Sequence, residues 1–318
     1  MTALTDQPAP VTIGICCFNA EGTIEAAVRS AMAQEWQHLE IIIVDDCSTD
    51  RSALVLNQFA SIENIKIICH RENVGPAGSR NTILDNSSGK YIAFFDDDDT
   101  SDSMRIAQQV ADIERQMVYF ESRDVVTFCS GQRRYSPDFV IMLDAIGSQM
   151  QAKPSGSDVV DYLLFGRKRQ GLFFGTGTPS CAMLAPVELL KRVGGFDKGF
   201  RRLEDAELCV RLAAHGTIFS GTPERVLFQN VSHALDKSAF KNLKAELKLV
   251  QKHRSLFRDQ HQIAYAKRKH LLRYYYFRKN LTGALRTVAA LQRNPAFSFV
   301  QDVFLPLIRR VKKDMKLG

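Results

Sequence analysis

Four aspartates in a row, Asp96, Asp97, Asp98 and Asp99, follow the apolar run 91–95 in "YIAFFDDDDT". Adjacent carboxylates repel one another and strands disfavour Asp. That much negative charge at the end of an apolar strand calls for a positive ligand. Mg2+ and Mn2+ take oxygen donors, and Mg2+ is usually held by one or two carboxylates with phosphates filling other positions. The cluster therefore suggests a divalent ion carrying a diphosphate. Other polar groups sit in comparable places: Asn19 in "CFNAEG", Asp45 and Asp46 in "DDCSTD", and Arg80 in "HRENVGPAGSRN". Arg80 and the backbone N–H groups around 75–78 suit phosphates. Asp45 and Asp46 suit ribose hydroxyls or a base N–H, although acid pairs after strands also cap helices, and taken alone this pair fits both uses. No G-x-G-x-x-G follows the first apolar run and no G-x-x-x-x-G-K-[ST] occurs. This argues against a dinucleotide dehydrogenase and a P-loop NTPase.

These groups must be positioned by the elements between them. "VTIGICCF" (11–18), 41–44, "IKIICH" (65–70) and "YIAFF" (91–95) are continuous apolar runs, the pattern of strands covered on both faces. Between them 20–36, 52–60 and 75–87 carry helical spacing. Strand and helix alternate, which predicts a Rossmann-type α/β sheet with its polar groups collected beyond the carboxyl ends of the strands. A helix is expected at about 103–118, a strand at 124–131, loops and short elements over 132–180 with a helix at 158–166, a strand at 180–186, a helix at 203–216 and a last strand at 225–233. From 236 onward the pattern is helical, basic and aromatic. The expected organisation is a disordered lead-in at 1–10, an α/β domain at 11–235 and a basic helical region at 236–318.

Taken together, the motifs resemble glycosyltransferase family 2, with its GT-A fold. "VTIGICCFNAEGTIEAAVRSAMAQEWQHLEIIIVDDCSTDRS", "NVGPAGSRNTILDNSSGKYIAFFDDDDT" and "GGFDKGFRRLEDAELCVRLAAHG" are similar to three blocks of that family, in order and at compatible separations. The resemblance implies a mixed, mostly parallel sheet flanked by helices, with a C-terminal helical appendage. It implies metal-dependent, inverting transfer of a sugar from a nucleoside-diphosphate sugar, UDP being the expected nucleotide. The acceptor would be a hydroxyl of a saccharide or lipid-linked acceptor, in cell-surface polysaccharide or glycolipid synthesis. It assigns Asp46 to the base, with Phe18 and Asn19 lining the pocket, Asp97 to the ribose, Arg80 to the diphosphate, and Asp98 with Asp96 to Mn2+ or Mg2+. His233 is a further metal ligand on the same grounds. Asp205 becomes the general base, with Glu204 beside it on the acceptor side. The Gly- and Thr-rich loop 170–184, with Thr176 and Gly177, is read from its composition as the other part of the acceptor site. "ICCFN" departs from the family's usual wording near the base. The rival expectations are a nucleotidyltransferase and a catalytically silent sugar-nucleotide-binding module.

The net charge of +7 divides unevenly. Residues 236–318 hold 20 Lys and Arg against 5 Asp and Glu, a net +15, which leaves −8 for 1–235. A solvated helical surface explains such a region, and an anionic membrane surface is the next expectation; nucleic acid is not expected. The seven cysteines form no C-x-x-C pair and read as reduced thiols of a cytoplasmic protein. No run approaches the ~18 apolar residues of a membrane span, and the first ten residues lack the basic and apolar regions of a secretory leader. The expected location is the cytoplasm, peripheral to the inner membrane face.

Overall fold

The computed structural model describes residues 7–136, 138–230 and 238–292. In chain order the elements are β1 (Val11–Cys17), α1 (Ile24–Met32), β2 (Leu39–Asp45), α2 (Ser52–Asn57), β3 (Ile65–Cys69), α3 (Gly75–Asn86), β4 (Tyr91–Asp96), β5 (Thr100–Ser101), α4 (Arg105–Tyr119), β6 (Val125–Ser136), β7 (Phe139–Leu143), α5 (Gly156–Phe165), β8 (Met183–Pro186), α6 (Val187–Arg192), α7 (Glu204–Ala214), β9 (Ile218–Asn230), α8 (Ala239–Lys252), α9 (Gln260–Phe277) and α10 (Leu281–Gln292).

Among the described residues one mixed sheet runs β3-β2-β1-β4-β8-β6-β9-β5, with β7 paired to β6. The four apolar strands β3, β2, β1 and β4 are parallel neighbours. The Ile, Val and Phe side chains of β1, β2 and β4 are buried, with Ile67 and Ile68 of the edge strand β3 half-buried, and α1 and α4 add Ile24, Val28, Ile106, Val110 and Ile113 to the same core. Register fixes the site. Cys17 of β1 lies opposite Asp45 of β2, and Cys16 lies opposite Asp96 of β4. The chain winds outward from β1 through β2 to β3, then returns to β4 on β1's other side. The crevice left where winding reverses is where open α/β sheets bind ligands. Arg105, fully buried at the start of α4, supports the end of β4 from below: it donates to the Phe94 carbonyl at 3.2 Å and lies 4.1 Å from the Phe95 ring centre.

Three local expectations change. The last strand starts at Ile218, not 225, because "SGTPE" is absorbed as a bulge. β6 pairs Cys129 with Thr222 and then Ser130 with Arg225, stepping over Pro223 and Glu224; a bulge is one of the places a strand tolerates Pro. Its expected end, 231–233, lies outside the described residues. Within 132–180 a hairpin partner, β7, lies along β6. The stretch 180–186 opens as one 3-10 turn, Ser180–Ala182, before β8.

The chain forms two compact units, 1–163 with 167–232, and 164–166 with 233–318. The second is helical. Its α8 is capped by Ser238, which accepts from the Lys241 N–H at 3.1 Å, and α9 by Asp259, which accepts from the Gln262 N–H at 2.8 Å. Tyr265 is fully buried beside Phe165. Glu246, also buried, is paired with both Arg273 and His270. Among the described residues no helix is long and apolar enough to cross a membrane.

Candidate functional site

The crevice between β1 and β4 is closed by direct bonds. The Phe18 N–H, just past β1, donates to Asp97 Oδ2 at 2.9 Å. Asn19 holds a left-handed φ of 52°, a region Asn enters more readily than most residues. Its side-chain carbonyl accepts from the Thr49 N–H at 2.8 Å, and its own N–H donates to Ser48 Oγ at 3.0 Å. The loops after β1 and β2 are thus sewn together, and the Phe18 ring is left 47% exposed over them.

Asp46, 4% exposed, performs the capping role that its sequence context also allowed. Its carboxylate accepts the Val74 N–H at 3.0 Å and the Gly75 N–H at 2.8 Å, at the start of α3. His70 Nδ1 lies 2.8 Å from the same carboxylate, and His70 Nε2 lies 2.9 Å from Thr82 Oγ1. Two of these contacts use Oδ1 and one uses Oδ2. A carboxylate has about four lone-pair positions, so one on Oδ2 is without a protein donor among the described residues.

Arg80 joins the acidic rim to α7. It is 6% exposed. Nη2 donates to Asp96 Oδ1 at 3.2 Å and Nη1 to Glu204 Oε1 at 2.6 Å, while the guanidinium lies 5.5 Å from the Phe196 ring centre. Burial works against its charge, but Cys16, Asp96 and Glu204 outweigh it and hold the pKa above the ordinary value. The next residue, Asn81, trades two bonds with the Phe196 backbone, donating to its carbonyl at 2.8 Å and accepting its N–H at 2.7 Å. Gly195 makes room: a Cβ there would meet Asn81 Oδ1 at 2.6 Å, and its φ is +63°. α7 then begins at Glu204 directly after Leu203, whose φ of 61° is costly for a branched side chain. Leu203 is held because its carbonyl accepts the Glu207 N–H at 2.8 Å, while Arg80 fixes Glu204 next door.

Asp205 lines a cavity of about 230 Å³ with Arg133, Asp144, Thr176, Gly177 and Gln229. Its wall is a tight loop. The Thr176 N–H and hydroxyl both donate to the Asp144 carbonyl, at 2.9 and 3.1 Å. Gly175 is required, since a Cβ there would fall 2.1 Å from that carbonyl oxygen. Burial, then the neighbouring Glu204, push Asp205 up to about 6 against the Ala206 N–H and Arg80. A carboxylate with that basicity is suited to taking a proton near neutral pH.

The aspartate row shows the same strain. Burial pushes Asp97 and Asp99 up to about 7, and Asp96 and Asp98 add to the rise in both. Asp99 is anchored, accepting from Gln229 Nε2 at 2.8 Å and the Asn230 N–H at 3.2 Å. Asn230 also donates to the Asp98 carbonyl at 3.1 Å. Asp96, Asp99 and Cys181 place one donor atom each within 4.8 Å of one another. Cys181 offers soft sulfur, which suits zinc or copper better than Mg2+ or Mn2+, so it is the weakest of the three donors for a hard ion. What remains is carboxylate oxygen under mutual repulsion, a donor set that fits a hard divalent cation.

The structure thus links Phe18, Asn19, Asp46, Asp97 and Asp98 on loops, Asp96 at the end of β4, Arg80 on α3 and Glu204 and Asp205 at the start of α7, with Thr176 and Gly177 lining the Asp205 cavity. His233 lies outside the described residues. Both terminal nitrogens of Arg80 are engaged by carboxylates, and Glu204 faces Arg80. His70, Asn81, Phe196 and Gln229 escaped the sequence reading. Only "SRN" and "GGF", already noted as motifs, hinted at the Asn81–Phe196 lock.

Comparison with known proteins agrees with this architecture. The crystal structure of S. aureus TarS 1–349 in complex with UDP superposes with a TM-score of 0.60 at 16% identity, covering 87% of this chain and 75% of that one. Mannosyltransferase PcManGT from Pyrobaculum calidifontis, in complex with GDP-Man and Mn2+, gives 0.57 at 16% identity, covering 100% of this chain and 85% of that one. These share the fold. In sequence, the chain is 40% identical over 112 residues to the UDP-Glc:alpha-D-GlcNAc-diphosphoundecaprenol beta-1,3-glucosyltransferase WfaP of Escherichia coli. That match covers 35% of this chain and 43% of the relative's length. The model for glycosyl transferase family 2 matches residues 12–171, half of the chain, and the chain belongs to that family.

Proposed function

We propose that the chain is an inverting glycosyltransferase that moves a sugar from a nucleoside-diphosphate sugar to a hydroxyl of a saccharide or lipid-linked acceptor, in the synthesis of a cell-surface polysaccharide or glycolipid. The observation that carries this reading is the Arg80 bridge. It ties the acidic rim at Asp96 to Glu204, and so sets the neighbouring Asp205 beside that rim.

On the donor side, the open Phe18 ring offers a stacking face for the base. The spare acceptor position on Asp46 Oδ2 suits a ring N–H on the base's pairing edge. Uracil and guanine carry one; the matching ring nitrogen of cytosine and adenine is an acceptor, and those bases could donate only through their exocyclic amino groups. TarS holds UDP and PcManGT holds GDP-Man, and UDP is the nucleotide proposed for this chain. Asn19 shapes the base pocket and Asp97 faces the ribose. Asp98 and Asp96 would hold Mn2+ or Mg2+. When bound, such an ion offsets charge on the departing diphosphate, an effect worth several kcal/mol. Arg80 adds a fixed positive charge on the same side.

On the acceptor side, Asp205 takes the hydroxyl proton as that oxygen attacks the anomeric carbon. Positioned bases contribute ~10²–10⁴-fold. A single base opposite the leaving group gives one displacement and inverted configuration. Thr176, Gly177 and Glu204 border the acceptor. The cavity of about 230 Å³ is below the ~300–1,000 Å³ of drug-sized sites, which suits one sugar residue rather than a whole sugar nucleotide. The seven free cysteines and the basic helical unit support a cytoplasmic setting against an inner membrane face.

The test is a panel of nucleoside-diphosphate sugars with Mn2+ and with chelator, read by thermal shift and by the nucleotide released. Stabilisation by a UDP-sugar that needs metal, with UDP as product, is expected. Pyrophosphate release would favour a nucleotidyltransferase, and no shift with any donor would overturn the reading.

A further inference from the structure

Over residues 238–292 the helical unit carries 13 Lys and Arg against two acids, and one of those acids, Glu246, is buried. The unit also leaves large apolar side chains in solvent: Phe240 is 63% exposed, Phe277 46%, Leu281 72% and Leu285 61%. These four gather at one end. Phe240 opens α8 and lies 6.5 Å from Tyr274 near the end of α9. Phe277 closes α9. Leu281 and Leu285 stand four residues apart on the first turns of α10, and so share a face. The start of α10 is pressed against α9, where a Cβ on Gly283 would come within 2.6 Å of the Tyr275 ring. The same end carries exposed Lys241, Arg273, Arg278, Lys279 and Arg286.

Exposed apolar side chains gathered in one place mark an interaction surface. Apolar tips ringed by Lys and Arg match a lipid interface, where the tips enter the boundary of the acyl region and the bases meet anionic headgroups. We propose that this end of the helical unit docks on an anionic lipid bilayer. Two other occupants fit less well. Single-stranded nucleic acid is held by stacking on aromatic faces, and Leu281 and Leu285 offer none. A second copy seated on this face would set its basic side chains against their own counterparts. The proposal rests on the membrane-face part of the proposed function and narrows it to named residues, but not on Asp205, so vesicle binding and donor turnover can fail separately.

The test is sedimentation of the full chain with phosphatidylcholine vesicles, with and without phosphatidylglycerol, at low and high salt. Binding to the anionic vesicles only, weakened by salt, is expected. Arg278→Gln, Lys279→Gln and Arg286→Gln together should lower affinity by roughly fivefold for each base removed. Leu281→Glu with Leu285→Glu should lower it at least about tenfold through lost apolar burial. Thermal melts and donor turnover of both variants should match the parent; if the leucine variant does not fold, the surface-charge variant still decides. The proposal is overturned by no binding, equal binding to neutral vesicles, binding unchanged in both variants, or a concentration-dependent dimer that Leu281→Glu dissolves. Displacement of the vesicles by RNA with higher affinity would count the same way.

Discussion

The two units solve the same problem with opposite signs. In the α/β unit one buried base, Arg80, stands between two acids, Asp96 and Glu204. In the helical unit one buried acid, Glu246, stands between two bases, Arg273 and His270. Arg80 thus faces more acid than it can neutralise, while Glu246 is matched by Arg273 and exceeded when His270 carries a proton, and each unit shows charge of the partners' sign at its working surface. Negative surplus at the sheet rim pushes Asp97 and Asp99 up to about 7, after burial itself, and invites a cation. Positive surplus on the helices is spread over exposed Lys and Arg and invites an anionic surface. Function in both places follows from charge that the fold buries or crowds but does not cancel.

Experiments can break this opposition, beginning where the effect is largest. Asp205→Asn should lower turnover by ~10²–10⁴-fold with donor binding retained, measured by transfer kinetics and thermal shift. The same variant should melt higher at pH 7. Asp205 has its folded pKa raised to about 6 from an ordinary value near 4. Its contribution to stability is therefore fully present below about pH 4 and lost as pH rises through about 6, and the amide removes that loss, worth about 1–3 kcal/mol. Arg80→Met should come next, destabilising the protein by about 3–5 kcal/mol, because it leaves two carboxylates facing each other without their shared base. Glu246→Gln, its mirror image, should cost about 1.5–3 kcal/mol in a chemical melt and leave donor hydrolysis intact.

A smaller effect concerns pH. Values of kcat/KM should fall about tenfold per pH unit below about 6, as Asp205 takes up a proton. Saturating metal should move that limb to lower pH, since Asp96 is one of the groups raising it. A flat profile down to pH 5 would remove Asp205 from the role of base. The least of the five is His70→Ala. It frees one contact on Asp46 and should weaken donor binding about fivefold, near 1 kcal/mol, while kcat holds. A fall in kcat with donor affinity unchanged would separate His70 from the base pocket.

Much of the parallel half was legible in the chain. Runs such as 41–44 and 91–95 are short, rich in Ile, Val and Phe, and apolar without alternation, the pattern of covered strands. The antiparallel half was harder. β7 is short and lies in a stretch, 132–180, whose Gly, Pro and Ser read as loops, and β9 hides its start behind Gly221 and Pro223, which read as a turn until the bulge opposite Ser130 is seen. In the site, residue types beyond strand ends pointed to the acidic rim and to Arg80, whereas Asp205, in the first turn of α7, was marked only by the family resemblance of its block. What they could not show was partnership across long separations. Asn81 with Phe196 and Asp99 with Gln229 are joined by folding alone; Gln229 belongs to no motif, and His70, though it opens "HRENVGPAGSRN", has nothing in its type to name Asp46 as its partner. Asp46 shows the limit from the other side: its sequence context admitted both a cap and a base-binding group, and the geometry has it capping α3 with one acceptor position to spare.

The thiols have a practical consequence. Cys17, Cys129, Cys181 and Cys209 are buried, whereas Cys69 is exposed at the end of β3, one residue before His70. Burial and Asp45 raise the Cys69 pKa, so a maleimide dye would couple there most readily in mildly alkaline buffer. Such a fluorophore would sit next to the clamp on Asp46 and would report the arrival of a nucleotide as a change in emission, with no cysteine engineered into the chain.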